Sequence, residues 1–134
     1  MRHYVGHYIL VLAIFLAFDF AWLSTVGRTV YVAEIGARLR DKPNLAVALA
    51  FYALFALGLM VFVVEPSLAF SNLWRAGGLG ALFGLVAYAT YDLTNLATMK
   101  GFTLRIAIID MIWGAVISGV VTVAAIWAIR SFKI

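Results

Sequence analysis

The chain has no cysteine, which excludes disulfides, thiolate metal ligands and cysteine nucleophiles at the outset. Histidine is almost as scarce: His3 and His7 are the only two, one helical turn apart. Two imidazoles without a third ligand make a poor metal site, and a place at the membrane interface suits them better. Charge is thin as well, with Lys, Arg, Asp and Glu together at 12% of 134 residues. The ten basic side chains flank apolar runs rather than gather on one face. No basic surface is left over for nucleic acid.

What is present in excess is apolar surface. Hydrophobic residues make up 66% of the sequence and mean hydropathy is +1.05, more than one water-soluble core of this size can hide. Four stretches free of Lys and Arg, residues 8–26, 45–64, 76–98 and 106–129, are long enough to cross about 30 Å of hydrocarbon at roughly 1.5 Å per residue. The expected fold is an all-α, polytopic membrane protein of four transmembrane helices in one domain, 1–134. Arg2 and His3 ahead of an apolar run resemble a signal peptide, but Asp19 and Trp22 occupy the place of a small-residue cleavage site, so the first run reads as a retained span. Six basic residues on the side of the odd loops against four on the side of the termini favour cytoplasmic odd loops.

Between the first two runs, residues 27–42 are too charged to span, yet Val30, Ala33 and Ala37 recur at helical spacing beneath Glu34, Arg38 and Arg40. That pattern places the stretch along the interface. Pro43 suits the first turn of the second span. Glu65-Pro66 ends it, and Ser71 with Asn72 makes the next turn. Gly80-x-x-x-Gly84 in the third run and Gly114 with Ser118 in the fourth form small-residue faces for helix packing, within the bundle or in a homo-oligomer.

Residues 18–26 and 91–99 share aromatic, Asp, Leu and Thr positions in step. The second and fourth spans align more loosely, which reads as a tandem duplication of a two-helix hairpin with both copies in one orientation.

Three acids, Glu34, Asp41 and Glu65, fall in or beside connections and need only solvent. Asp19, Asp92 and Asp110 fall inside apolar runs, where even the mildest scale sets the cost of a carboxylate at roughly 2.5–3.5 kcal/mol. All three lie near span ends on the same side, in one layer roughly 6 to 12 Å below that surface. The duplication sets Asp19 and Asp92 face to face, with Asp110 joining from the fourth span. Tyr52 reaches the same depth. Tyr88 and Asn95 share the face of Asp92 at i−4 and i+3, and Trp22 and Trp113 wall the cluster. No Lys, Arg or His lies within any of these four runs. The acids must therefore be protonated, hydrated or neutralised by a bound cation. No cofactor is evident; a metal held by Asp19, Asp92 and Asp110 would meet only oxygen, which favours Mg²⁺, Ca²⁺, Mn²⁺ or Na⁺.

The strings Tyr88-Ala-Thr-Tyr-Asp92-Leu-Thr-Asn-Leu-Ala-Thr98, Asp110-x-x-Trp113-Gly114, Asp19-x-x-Trp22-Leu23 and Lys42-Pro43-Asn44 together resemble a family of small bacterial predicted membrane proteins classed only as a domain of unknown function. The resemblance covers nearly the whole chain. It implies a four-span, multi-pass protein of the bacterial inner membrane with no assigned activity.

Three functions compete on these residues. The first is a carboxylate cluster that binds a cation, a proton or a polar headgroup, with a link to transport. The second is a lipid-modifying enzyme that uses paired aspartates as acid and base. It lacks an activated nucleophile, a histidine and a phosphate-cradling loop at that depth. The third is an accessory subunit of a larger membrane complex. Membrane lipids are partners in every case.

Overall fold

A computed structural model describes residues 2–36, 39 and 42–134. Ala37, Arg38, Arg40 and Asp41, which belong to the expected interfacial stretch and its end, lie outside the described residues. Five helices account for most of the rest: α1 Arg2–Ser24, α2 Val26–Ile35, α3 Leu45–Ser67, α4 Leu73–Thr98 and α5 Leu104–Phe132. There is no strand among the described residues.

Short polar side chains set the starts of three helices. Asn44 accepts from the Val47 N–H, Asn72 from the Trp74 N–H and Thr103 from the Ile106 N–H, each satisfying a donor that the first turn leaves free. Pro43 therefore stands outside α3, one residue ahead of its cap, rather than in the first turn. Pro66 does not end α3 either. The helix widens at Met60–Val64, where the Glu65 N–H bonds to the Met60 carbonyl five residues back, and it continues to Ser67. A wide turn immediately before a proline relieves the clash between its ring and the preceding turn.

Three helices, α1, α3 and α5, are both long and apolar enough to cross a membrane. This differs from the four expected. The third apolar run does form a helix, α4, of 26 residues, but its glycines together with Tyr88, Thr90, Tyr91, Asp92, Thr94 and Asn95 dilute its apolar content. Large apolar side chains also stand on the outside of the bundle: Phe62 is 72% exposed, Leu54 71% and Phe20 73%. Such a surface is compatible with lipid as solvent and costly in water.

α1, α3 and α5 meet in a core of Val11, Phe15, Phe55, Leu59, Ile117 and Val121. The closest helix pair is α4 against α5. A Cβ on Gly84 would lie 2.1 Å from the Gly114 carbonyl oxygen and 2.2 Å from Ser118 Oγ, and one on Gly80 would lie 2.3 Å from Thr122 Oγ1. The stripe of Gly80, Gly84, Gly114 and Ser118 thus lies on the seam between these two helices, where missing side chains let the backbones approach.

The short helix α2 covers one end of the bundle. Its Val30 and Tyr31, together with Leu96, pack on Phe102, Ile106 and Ala107 at the α4–α5 turn. Gly27 permits this return, because a Cβ there would stand 2.5 Å from Trp22 Nε1.

At the other end, His7 is buried and hydrogen bonds through Nδ1 to Glu65, while its Nε2–H donates to the Ile134 carbonyl at 3.2 Å. Glu65 is therefore a paired, half-buried group and not the solvated carboxylate expected of a connection. Both ring nitrogens of His7 are engaged, so His3, with its ring 6.4 Å away, has no free imidazole beside it with which to share a metal. Arg130 fastens the same end by donating to the Leu68 and Phe70 carbonyls.

Candidate functional site

All three aspartates of the apolar runs come to the α2 end of the bundle, but they divide into two environments. Asp19 on α1 is buried and fully engaged. Its Oδ2 accepts from the Tyr52 hydroxyl of α3 at 2.5 Å and its Oδ1 from Trp113 Nε1 of α5 at 3.0 Å. One carboxylate thereby ties three helices together, with a donor for each oxygen.

Asp92 is the opposite case. It is 1% exposed, and neither of its oxygens has a hydrogen-bond donor. The carboxyl borders a cavity of about 190 Å³ that it shares with Asp110, Tyr31 and Tyr91. Its companion is thus Asp110 of α5, rather than Asp19 across an axis. Asp110 is half-buried and accepts from the Tyr31 hydroxyl.

Stacked indoles connect the two environments. Trp22 and Trp113 lie 4.4 Å apart between ring centroids and 9° from parallel. Trp113 donates to Asp19, while Trp22 Nε1 donates to the Tyr31 hydroxyl at 3.3 Å, which in turn donates to Asp110. The expected wall residues are therefore donors, one in each of two hydrogen-bonded sets that the ring stack brings side by side.

The remaining expected residues fall around this frame. Tyr52 belongs to Asp19. The Tyr88 ring lies on Gly114, where a Cβ would stand 2.3 Å from Tyr88 Cγ, and it borders a second opening of about 370 Å³ together with Asp110. Asn95 is half-buried beside Tyr91, lines neither opening and bonds none of the three aspartates. No three His, Asp or Glu side chains among the described residues are grouped so as to hold a metal ion. Asp19, held by its own two donors, stands apart from the Asp92–Asp110 pair that shares the cavity.

Tyr31 is the residue that sequence reading missed. It lies on the covering helix α2, where the pattern drew attention to Val30 and Ala33, yet it supplies the donor to Asp110. Burial, and then the Asp110 carboxylate, hold its phenolic proton well above the ordinary tyrosine range. The available signal was a lone hydroxyl-bearing aromatic among the apolar positions of an amphipathic stretch. Glu34 on the same helix accepts from Thr103 Oγ1 at 2.7 Å and faces Arg105 at 3.7 Å, which pins α2 to the start of α5.

A family model described as Predicted membrane protein (DUF2177) matches residues 4–127. The chain belongs to that family. Its members are described as membrane proteins of unknown function, and Asp19, Asp92, Asp110 and their donors all lie within the matched residues. No curated protein and no solved structure matches the chain.

Proposed function

We propose that this protein crosses the bilayer four times, as the tandem hairpins α1–α3 and α4–α5, and that Asp92 and Asp110 together hold one positive charge inside it. The observation that carries the reading is Asp92: a carboxyl 1% exposed, without a donor, beside a second carboxyl and a cavity. A buried carboxylate without a donor or counter-ion is strongly disfavoured. A proton shared between the two acids removes the problem, and so does a bound monovalent cation. The donor set favours a single charge over Mg²⁺ or Ca²⁺, since two carboxyls and two phenols fall short of the oxygen shell that those ions take.

The fourth crossing is supported by the length of α4 and by its close seam with α5, which is the packing that lipid-exposed helices use. The duplication is supported by the recurrence of a buried aspartate near the ends of α1 and α4. A multi-pass protein of the bacterial inner membrane, surrounded by lipid, fits the same reading. The polar site then serves uptake or exchange of a positive charge from within the membrane, a role in which intramembrane acids recur.

Thermal unfolding in neutral detergent across pH and a panel of Na⁺, K⁺, Mg²⁺ and Ca²⁺ tests this. A ligand of the native state raises stability with its concentration. The expected result is stabilisation of the wild type by acid or by a monovalent cation that Asp92→Asn abolishes. Identical responses in the two proteins overturn the reading.

A further inference from the structure

We infer that the positive charge taken by the Asp92–Asp110 site is the head of a single-chain cationic amphiphile that enters sideways from the bilayer. The inference rests on the proposed charge-holding role of this pair and names its ligand.

Asp110 borders two spaces. One is the cavity shared with Asp92. The other is the opening formed with Phe51 of α3 and with Ala87, Tyr88 and Tyr91 of α4. Phe51 and Tyr91 are 47% and 58% exposed, so this opening faces outward between two helices. From Phe51 an apolar groove of about 490 Å³ continues along the same helices past Phe55, Gly58, Phe62 and Phe83. From Phe51 to Phe62 the track is about 16 Å long at 1.5 Å per residue, room for an alkyl chain of roughly a dozen carbons. An acid at one end and an apolar furrow leading away from it match an amphiphile with a positive head.

The aqueous side is less hospitable to a cation. The recess there, about 690 Å³, has Arg28 in its wall. Tyr31 and Leu39 line both that recess and the acid cavity, so they stand between the two. A positive charge that enters through this recess passes the Arg28 guanidinium and the phenol that donates to Asp110. Arrival from the lipid side meets neither. It meets the faces of Phe51, Tyr88 and Tyr91, which attract ammonium groups. When the ammonium reaches Asp110, the proton shared by the acids leaves to water and charge is conserved.

The test uses the whole protein in neutral maltoside detergent with dodecylammonium as probe. Tetramethylammonium supplies a charge without a chain and dodecanol a chain without charge. The expected result is saturable stabilisation by dodecylammonium, weakened at least about thirtyfold in Asp110→Asn. Ala87→Leu, which narrows the opening, should lose the amphiphile response and keep the response to pH. A lysophospholipid with an ethanolamine head separates the sources: stabilisation by it points to a membrane lipid, and stabilisation by the alkylamine alone points to a free amine. Equal stabilisation by dodecanol, or an undiminished amphiphile response in both variants, overturns the inference. So does a wild type that answers to protons or tetramethylammonium but not to the amphiphile, an outcome that leaves the charge-holding site standing. A wild type that answers neither to pH nor to any of these probes would remove both.

Discussion

Trp22 and Trp113 lie flat against one another, 4.4 Å between centroids, yet their N–H groups serve different acids. Trp113 donates directly to Asp19, and Trp22 reaches Asp110 through Tyr31. The stack therefore joins the engaged aspartate to the pair that has a cavity. Trp113→Phe keeps an aromatic face for Trp22 and removes the donor to Asp19. Unfolding in detergent should show a loss of about 1–3 kcal/mol. A double-mutant cycle with Tyr52→Phe should show coupling, since both side chains serve one carboxylate. Strict additivity would count against a shared role.

Two glycines on α4 make a controlled contrast. Gly84→Ala forces a methyl group onto the Gly114 carbonyl and Ser118, and overpacking of a tight seam should cost about 1–3 kcal/mol or more. Gly78 has nothing within 4 Å of the added Cβ, so Gly78→Ala should gain up to about 1 kcal/mol from helix propensity. Melting temperatures of the two variants should move in opposite directions.

At the far end of the bundle, His7 and Glu65 join α1 to α3. Glu65→Gln keeps the shape and removes the carboxylate that His7 Nδ1 pairs with. It should destabilise by about 1.5–3 kcal/mol, the range for hydrogen bonds to charged groups. If its unfolding temperature matches the wild type, the pair contributes nothing beyond packing.

Alkaline pH isolates Tyr31. Its phenolic proton is held above the ordinary range by burial and then by Asp110, so the folded state binds that proton more tightly than the unfolded chain. The sign follows from linkage: this contribution is complete below about pH 10 and declines as pH rises beyond it. The difference in stability between wild type and Tyr31→Phe should therefore shrink above that pH. A difference constant to the top of the accessible range would show that Tyr31 does not act through its proton.

Composition and periodicity made the helical, membrane-borne character legible, because spans advertise themselves by long runs without charge. The polar layer was legible for the same reason in reverse: Asp19, Asp92 and Asp110 stand out against apolar neighbours. Partner choice was not legible. Whether Asp19 meets Asp92 or Trp113 depends on how far each helix is rotated about its axis, and a helix apolar on every side carries no stripe to fix that rotation. Tyr31 and the His7–Glu65 pair escaped for a related reason, since both join residues far apart in sequence through helix ends. Helix α4 shows the converse: the glycines that fit it against α5 are what lower its apolar content.

The two kinds of aspartate should respond oppositely to the same substitution. Asp19 has a donor on each oxygen, so Asp19→Leu leaves the Tyr52 hydroxyl and the Trp113 indole without an acceptor. It should cost several kcal/mol in total, at about 1–3 kcal/mol for each orphaned group. Asp92 has no donor to orphan. Asp92→Leu removes a buried polar group that the fold does not satisfy and partly fills the adjoining cavity, so stability should stay level or rise by about 1–3 kcal/mol. Parallel unfolding curves of the two variants measure this directly. A large loss on Asp92→Leu would mean that the carboxyl has a structural partner, and the case for a charge-holding pair would fall with it.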